Sequence, residues 1–224
     1  MHAVDQEPII DRIAATRGGR RRIFESIDPA RTAHLIVDLQ NGFMEEGAPV
    51  EVPAARGIVS NVNRISRAVR EAGGQNIFLR YTTPFDMDTS WSVMLTRMGE
   101  AAEGHYKAFQ PGSHHWQLWP ELDVAESDLP MDKHRFGAFI PGTCDLHDTL
   151  QARGIDTLII TGTLSNCCCE STARDAMQLN YKVLFVTDAN AAPSDAEHEA
   201  TLYNMGWLFA DLYSTDETLG LLGG

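Results

Sequence analysis

Apolar positions along this chain alternate between short β-branched runs and longer stretches with helical spacing. In "AHLIVDLQNGF", residues 33–43, the run Leu35 to Val37 ends in Asp38. It predicts a buried parallel strand with a carboxylate at its C-terminal end. "GIVSNVNRISRAVREAGG" repeats Ile58, Val62, Ile65 and Val69 at helical spacing and stops at Gly73-Gly74. "NIFLRYT", Asn76 to Thr82, predicts a second strand. From Thr83 to Leu129 the periodicity weakens, Trp91, Trp116 and Trp119 are scattered, and only Met94 to Ala102 predicts a helix. Loops of that length in a compact domain commonly serve as lids or interface segments.

"LPMDKHRFGAF" predicts a short strand near Met131 to His134, and "TCDLHDTLQARG" a helix capped at Thr143 and ended by Gly154. The pattern then becomes regular: strand 156–162, helix from about 168 to 180, strand 182–188, and a helix from about Asp195 to Leu212. Strands alternating with helices predict one α/β domain, an open, mostly parallel sheet with helices on both faces (three-layer α/β/α, Rossmann-like). The domain is placed at 33–224, after a polar N-terminal arm, 1–32. In such sheets ligands bind beyond the carboxyl ends of the strands.

The length of 224 residues suits one well-buried domain. A net charge of −13 opposes a nucleic-acid partner, because binding a polyanion requires a basic face. The basic cluster Arg17 to Arg22 reads as a solvated arm or subunit contact rather than an anion or membrane site. No apolar stretch approaches the ~20 residues of a membrane span. The N-terminus lacks a signal-peptide core, and Asp5, Glu7 and Asp11 oppose an organellar transit peptide. A soluble cytoplasmic protein is expected. Its four cysteines, three of them consecutive at Cys167 to Cys169, read as free thiols. Their crowding does not fit the ligand spacing of a structural zinc site.

Three candidates for chemistry fall at strand carboxyl edges: Asp38, Lys133, and a cysteine just after "DTLIITGT". Singly, each has an ordinary structural explanation as a turn cap, a surface charge or a small hydrophobe. Together they supply a base, a cation and a nucleophile. A cysteine opening a helix is expected to have a depressed pKa, because the helix N-terminus stabilises its thiolate. A carboxylate can take the thiol proton, and the preceding turn offers N–H groups for an oxyanion. This is the equipment of an amide hydrolase working through a thioester. Successive helical residues point about 100° apart, so at most one of the three cysteines faces a pocket. Spacing does not choose which.

"VDLQNGF", "DKHRFGAF" and "GTLSNCCCESTARDA" together resemble the isochorismatase-like cysteine hydrolase family, over about Ala33 to Leu212. The family's elbow has the form Gly-x-x-Thr-x-x-Cys-Val-x-x-Thr-Ala-x-x-Ala. Gly162 takes its first place, Ser165 stands where threonine is usual, and Cys168 takes the nucleophile's place. Cys169 replaces the usual valine, and Thr172, Ala173 and Ala176 match. The resemblance implies that Asp38 is the catalytic aspartate and Lys133 the catalytic lysine. It also implies a cis peptide between Thr163 and Leu164, with the Leu164 and Cys168 N–H groups as the oxyanion hole. The Asp-x-His metal motif of the family's nicotinamidases is missing from "RYTTPFDMD", so no metal or other cofactor is expected.

A retained Cys168 favours C–N hydrolysis over the vinyl-ether cleavage of family isochorismatases. "CESTARDA" with "GSHHWQLWPEL" and "RFGAF" resembles the ureidoacrylate and carbamoyl amidohydrolase branch. Phe43, Trp91, Trp116, Phe136 and Phe139 are candidate pocket-lining residues. His114, His115 and His134 are set aside as bases or metal ligands, because an aspartate is available. The expectation is a cysteine-dependent amidohydrolase of a small amide, ureido or carbamoyl substrate. A vinyl-ether hydrolase, a lactam hydrolase, and a redox-sensing or binding protein on the same fold are the alternatives. Family resemblance further implies a homo-oligomer, dimer or tetramer, with the arm and the 83–129 segment as candidate interfaces.

Overall fold

Six strands form one open parallel sheet in the computed structural model, which describes residues 1–223. They are β1 (Thr32–Val37), β2 (Gln75–Tyr81), β3 (Leu129–Lys133), β4 (Thr157–Thr163), β5 (Lys182–Ala191) and β6 (Asp211–Tyr213), in the order β3-β2-β1-β4-β5-β6. Strand order therefore reverses between β1 and β4, which opens a crevice at their carboxyl ends. Val37 pairs with Leu79 on one side and Gly162 on the other. Gly162 has φ +121°, and a Cβ there would collide with the Val37 carbonyl oxygen. Glycine at this position lets β4 close against β1 directly beneath the crevice.

The helices are α1 (Glu7–Thr16), α2 (Asn41–Met44), α3 (Pro53–Arg56), α4 (Val59–Glu71), α5 (Met87–Ser90), α6 (Ser92–Met98), α7 (Ala102–Ala108), α8 (Leu146–Ala152), α9 (Glu170–Gln178), α10 (Asp195–Asn204) and α11 (Thr215–Leu222). Side chains alternate across the sheet, so adjacent strand residues enter opposite cores. Leu35, Val37, Leu158, Ile160, Val183 and Phe185 pack with α1, α8, α9 and α10. Ile36, Phe78, Ile159, Leu184 and Val186 pack with α3, α4 and α11. Burial on both faces is why these strands are almost continuously apolar. Helix α4 ends where Gly73, at φ +84°, takes the left-handed conformation and Gly74 N–H returns to Val69 O.

Several expected boundaries differ. Within the stretch expected to be a polar arm, Ile9, Ile10 and Ile13 form the buried stripe of α1, with Pro8 in its first turn. Three arginines of the cluster form ion pairs within the chain, while Arg20 and Arg21 remain exposed. Arg17 Nη1 lies 3.2 Å from Asp211 Oδ1, Arg21 pairs with Glu7 and Asp11, and Arg22 bonds Glu217 at 3.0 Å while stacking on Tyr213. The helix expected over Met94 to Ala102 is broken at Gly99, whose φ is +55°, into α6 and α7 joined by a 3₁₀ turn.

Thr143 does not cap α8; its hydroxyl donates to Ile140 O, and the helix begins two residues later than expected after Asp145. The last expected helix ends as a π-turn over Met205–Phe209. Residues of its expected C-terminal end form β6, and a further helix, α11, follows with a Ser214/Glu217 capping box. A three-residue strand leaves no period to detect, and its pairing with β5 is a long-range fact. Among the described residues, no helix is long and apolar enough to cross a membrane.

Candidate active site

Asp38 follows β1 with φ +53°, a left-handed conformation that costs a non-glycine residue about 1 kcal/mol or more. Its N–H donates to Leu79 O, which anchors the backbone to β2 while the side chain turns into the crevice. Lys133 is the last residue of β3. Its Nζ lies 2.8 Å from Asp38 Oδ2 and donates to Arg135 O at 3.1 Å. Both side chains have 0% exposure. The Lys133 ammonium and the Cys168 thiol both face the Asp38 carboxylate, which has no other charged partner among the described residues.

Between β4 and α9 the chain makes a π-turn, Ser165–Cys169. The N–H groups of Cys167 and Cys169 both donate to Leu164 O at 3.1 Å. Cys168 is buried and presents its thiol to Asp38. Cys169 is buried in the core among Ala173 and Ala176, and Cys167 is half-buried and hydrogen-bonds Cys168. Of the three thiols, the structure brings the middle one to Asp38 and Lys133. The Thr163–Leu164 peptide is cis, and the Leu164 N–H donates to no acceptor among the described residues.

The ionisation of the site is set by burial and mutual charge. Burial holds the Asp38 carboxyl above its ordinary value despite the opposing Lys133. Burial alone would lower Lys133, but the Asp38 carboxylate beside it outweighs burial and the pKa is raised, so the ammonium persists. The Cys168 thiol is pushed well above its ordinary value, first by its hydrogen bond with Cys167 and then by burial. This reverses the expectation of a depressed thiolate. The α-helix begins at Glu170, beyond the π-turn, and the thiol is sealed from water.

The aromatic candidates divide. Phe43 packs with Phe109 and Tyr81; Trp91 packs on Phe136 with ring centroids 5.0 Å apart; both approach Tyr81. Tyr81 stands 5.4 Å from Lys133 Nζ, which joins this aromatic cluster to the buried ion pair. Trp116 instead stacks on Arg80 and donates to Thr82 Oγ1, and Phe139 packs on Tyr181. The ring contacts of these two are with Arg80, Thr82 and Tyr181.

Two contributors escaped the sequence analysis. Tyr81 ends β2 at the same carboxyl edge as Lys133, its register partner, a signal present in the strand pattern. Gln40, wholly buried, bridges to Tyr81 by accepting its N–H and donating to its carbonyl, in the manner of a strand neighbour. Of the histidines, His114 pairs with Glu45, and His134 Nδ1 donates to Thr82 O. Among the described residues, no group of three or more His, Cys, Asp or Glu side chains converges as a metal ion would require.

Residues 32–217 match the isochorismatase domain family. An isochorismatase family protein of Bacillus subtilis, YwoC, is 34% identical, over 79% of this chain and 86% of its own. The ureidoacrylate amidohydrolase RutB of Klebsiella pneumoniae is 30% identical, over 82% of this chain and 85% of its own. A cysteine hydrolase structure from Pseudomonas syringae pv. phaseolicola superposes with a TM-score of 0.80 at 28% identity, covering 88% of this chain and 94% of its own. The matched residues run from the start of β1 to beyond β6. The chain belongs to the isochorismatase family of hydrolases.

Proposed function

We propose that this protein hydrolyses a C–N bond of a small amide, ureido or carbamoyl substrate through a thioester on Cys168. The observation that carries the proposal is the convergence of Asp38, Lys133 and Cys168 in one water-excluded crevice. Similarity to ureidoacrylate amidohydrolases supports the choice of bond.

Cys168 rests as a thiol, so deprotonation accompanies attack. As Sγ adds to the substrate carbonyl carbon, Asp38 takes the thiol proton; its raised pKa makes it the stronger base. The oxygen gains negative charge, which the Leu164 and Cys168 N–H groups and the nearby Lys133 ammonium stabilise. Collapse of the tetrahedral intermediate breaks the C–N bond, and Asp38 passes its proton to the departing nitrogen. Water then attacks the thioester, Asp38 accepts a water proton, and Cys168 leaves and is reprotonated. The low polarity of the sealed site strengthens each of these charge interactions. No step calls for a cofactor.

Ammonia or amine release across a panel of ureido, carbamoyl and simple amides, with intact-mass analysis of the quenched enzyme, tests the proposal. An acyl adduct on the Cys168 peptide and loss of turnover in Cys168→Ala are expected. Undiminished turnover in Cys168→Ala would overturn it.

A further inference from the structure

Ser165 lies immediately after Leu164 and three residues before Cys168, wholly buried at the start of the π-turn. Its Oγ is 2.8 Å from His198 Nδ1, on α10. The other ring nitrogen, His198 Nε2, is 2.9 Å from Thr187 O. A carbonyl only accepts, so the ring proton resides on Nε2 and Nδ1 is the acceptor. The Ser165 hydroxyl must therefore donate, and its direction is fixed.

His198 is itself held from behind. It is 1% exposed, and His2 stacks on its ring at 4.4 Å with 13° between planes. His2 in turn accepts the Ala192 N–H at 2.9 Å and contacts Asp195 Oδ1 at 2.6 Å. Burial, with His2 adding to it, lowers the His198 pKa to about 4, so the acceptor stays neutral near neutral pH. Among the described residues, the other side-chain bond from Ser165–Cys169 to α10, Asn166 to Glu197, spans 3.5 Å and is exposed, and Glu170 just beyond the turn accepts from Thr201 Oγ1 at 3.0 Å. Ser165 is thus the buried tie at the turn's N-terminal end, beside Leu164.

We infer that His198 is a positioning residue: through the Ser165 hydroxyl it sets the turn that carries the Leu164 N–H and the Cys168 thiol. His198 touches neither substrate nor reacting atoms. Its effect is geometric, and a nucleophile displaced by about 1 Å loses on the order of 100-fold in rate. The inference rests on the thioester mechanism proposed above.

Two substitutions separate positioning from packing. Asn at 198 keeps an acceptor near the Nδ1 position, whereas Gln keeps a donor near Nε2 for Thr187 O and loses the acceptor for Ser165. His198→Gln and Ser165→Ala are expected to lower kcat at least ~10-fold with KM within about twofold, while His198→Asn and Ser165→Thr stay within about threefold of the parent. Equal losses in His198→Gln and His198→Asn would overturn the inference. If the His198 variants fail to fold, Ser165→Ala decides, and an unchanged kcat there overturns it. Cys168→Ala is assayed alongside: if it is inactive while Ser165→Ala is unimpaired, the positioning role fails and the mechanism stands. An active Cys168→Ala overturns the mechanism and, with it, the inference.

Discussion

Lys133 Nζ and Asp38 Oδ2 meet at 2.8 Å with both side chains wholly buried, joining the ends of β1 and β3 across the intervening β2. Taking two charges out of water is costly, and removing one partner strands the other. Lys133→Met is expected to abolish turnover and to destabilise the protein by about 3–5 kcal/mol. Asp38→Asn should abolish turnover too, with the ammonium left to Arg135 O and the Tyr81 ring. Urea denaturation beside the ammonia-release assay checks both. Full activity in either variant would remove that residue from the mechanism.

Thiol reactivity should divide between neighbours. Cys168 is buried with a raised pKa, whereas Cys167 is half-buried. Since the thiolate is the reactive species, limited iodoacetamide at neutral pH should label Cys167 ahead of Cys168. Peptide mapping over time reads the order. Cys167→Ala should keep most of the activity, as should Cys169→Ala, whose small cavity costs about 1 kcal/mol.

Acid stability should carry the mark of a buried neutral histidine. His34 Nε2 is 2.8 Å from Thr161 Oγ1 and its Nδ1 is 3.2 Å from Asn76 Oδ1. Burial lowers its pKa to about 3. The unfolded chain binds a proton near pH 6.5 that the folded chain refuses, so His34's contribution is present above that pH and is lost as pH falls toward 3. The slope is about 1.4 kcal/mol per pH unit for this one group. Denaturation midpoints between pH 4.5 and 7 check it, and His34→Gln should flatten the profile. An unchanged slope in that variant would assign the acid sensitivity elsewhere.

The switch point depends on one missing methyl group. Gly162→Ala would place a Cβ against Val37 O at a φ of +121°. It is expected to destabilise by more than about 2 kcal/mol and to reduce turnover, because β4 leads into the turn that carries Cys168. Thermal denaturation and kcat measure the two effects.

What the sequence alone determined is whatever depends on local pattern. Leu35 to Val37, Asn76 to Thr82 and the run after Asp156 are apolar enough to be buried strands wherever they lie, and Gly73-Gly74 stops a helix by its own conformational freedom. Strand–helix alternation then places Asp38, Lys133 and the cysteine turn at one edge, although they are far apart along the chain. Spacing left the three cysteines equivalent, and only the family resemblance pointed to Cys168, the thiol that faces Asp38 in the structure.

Tertiary structure alone decided the rest. Ile9, Ile10 and Ile13 become core only because other strands and helices cover them, β6 exists only as a partner of β5, and Arg17 and Arg22 acquire their acids from the far end of the chain. The protonation of Cys168 was misjudged from helix polarity because burial and the Cys167 contact are properties of the packed site. The Ser165–His198 bond joins residues 33 positions apart, and its direction follows from a carbonyl on a third element. Periodicity describes how a segment meets water; which distant groups replace that water, and so where each proton resides, is settled only when the segments pack.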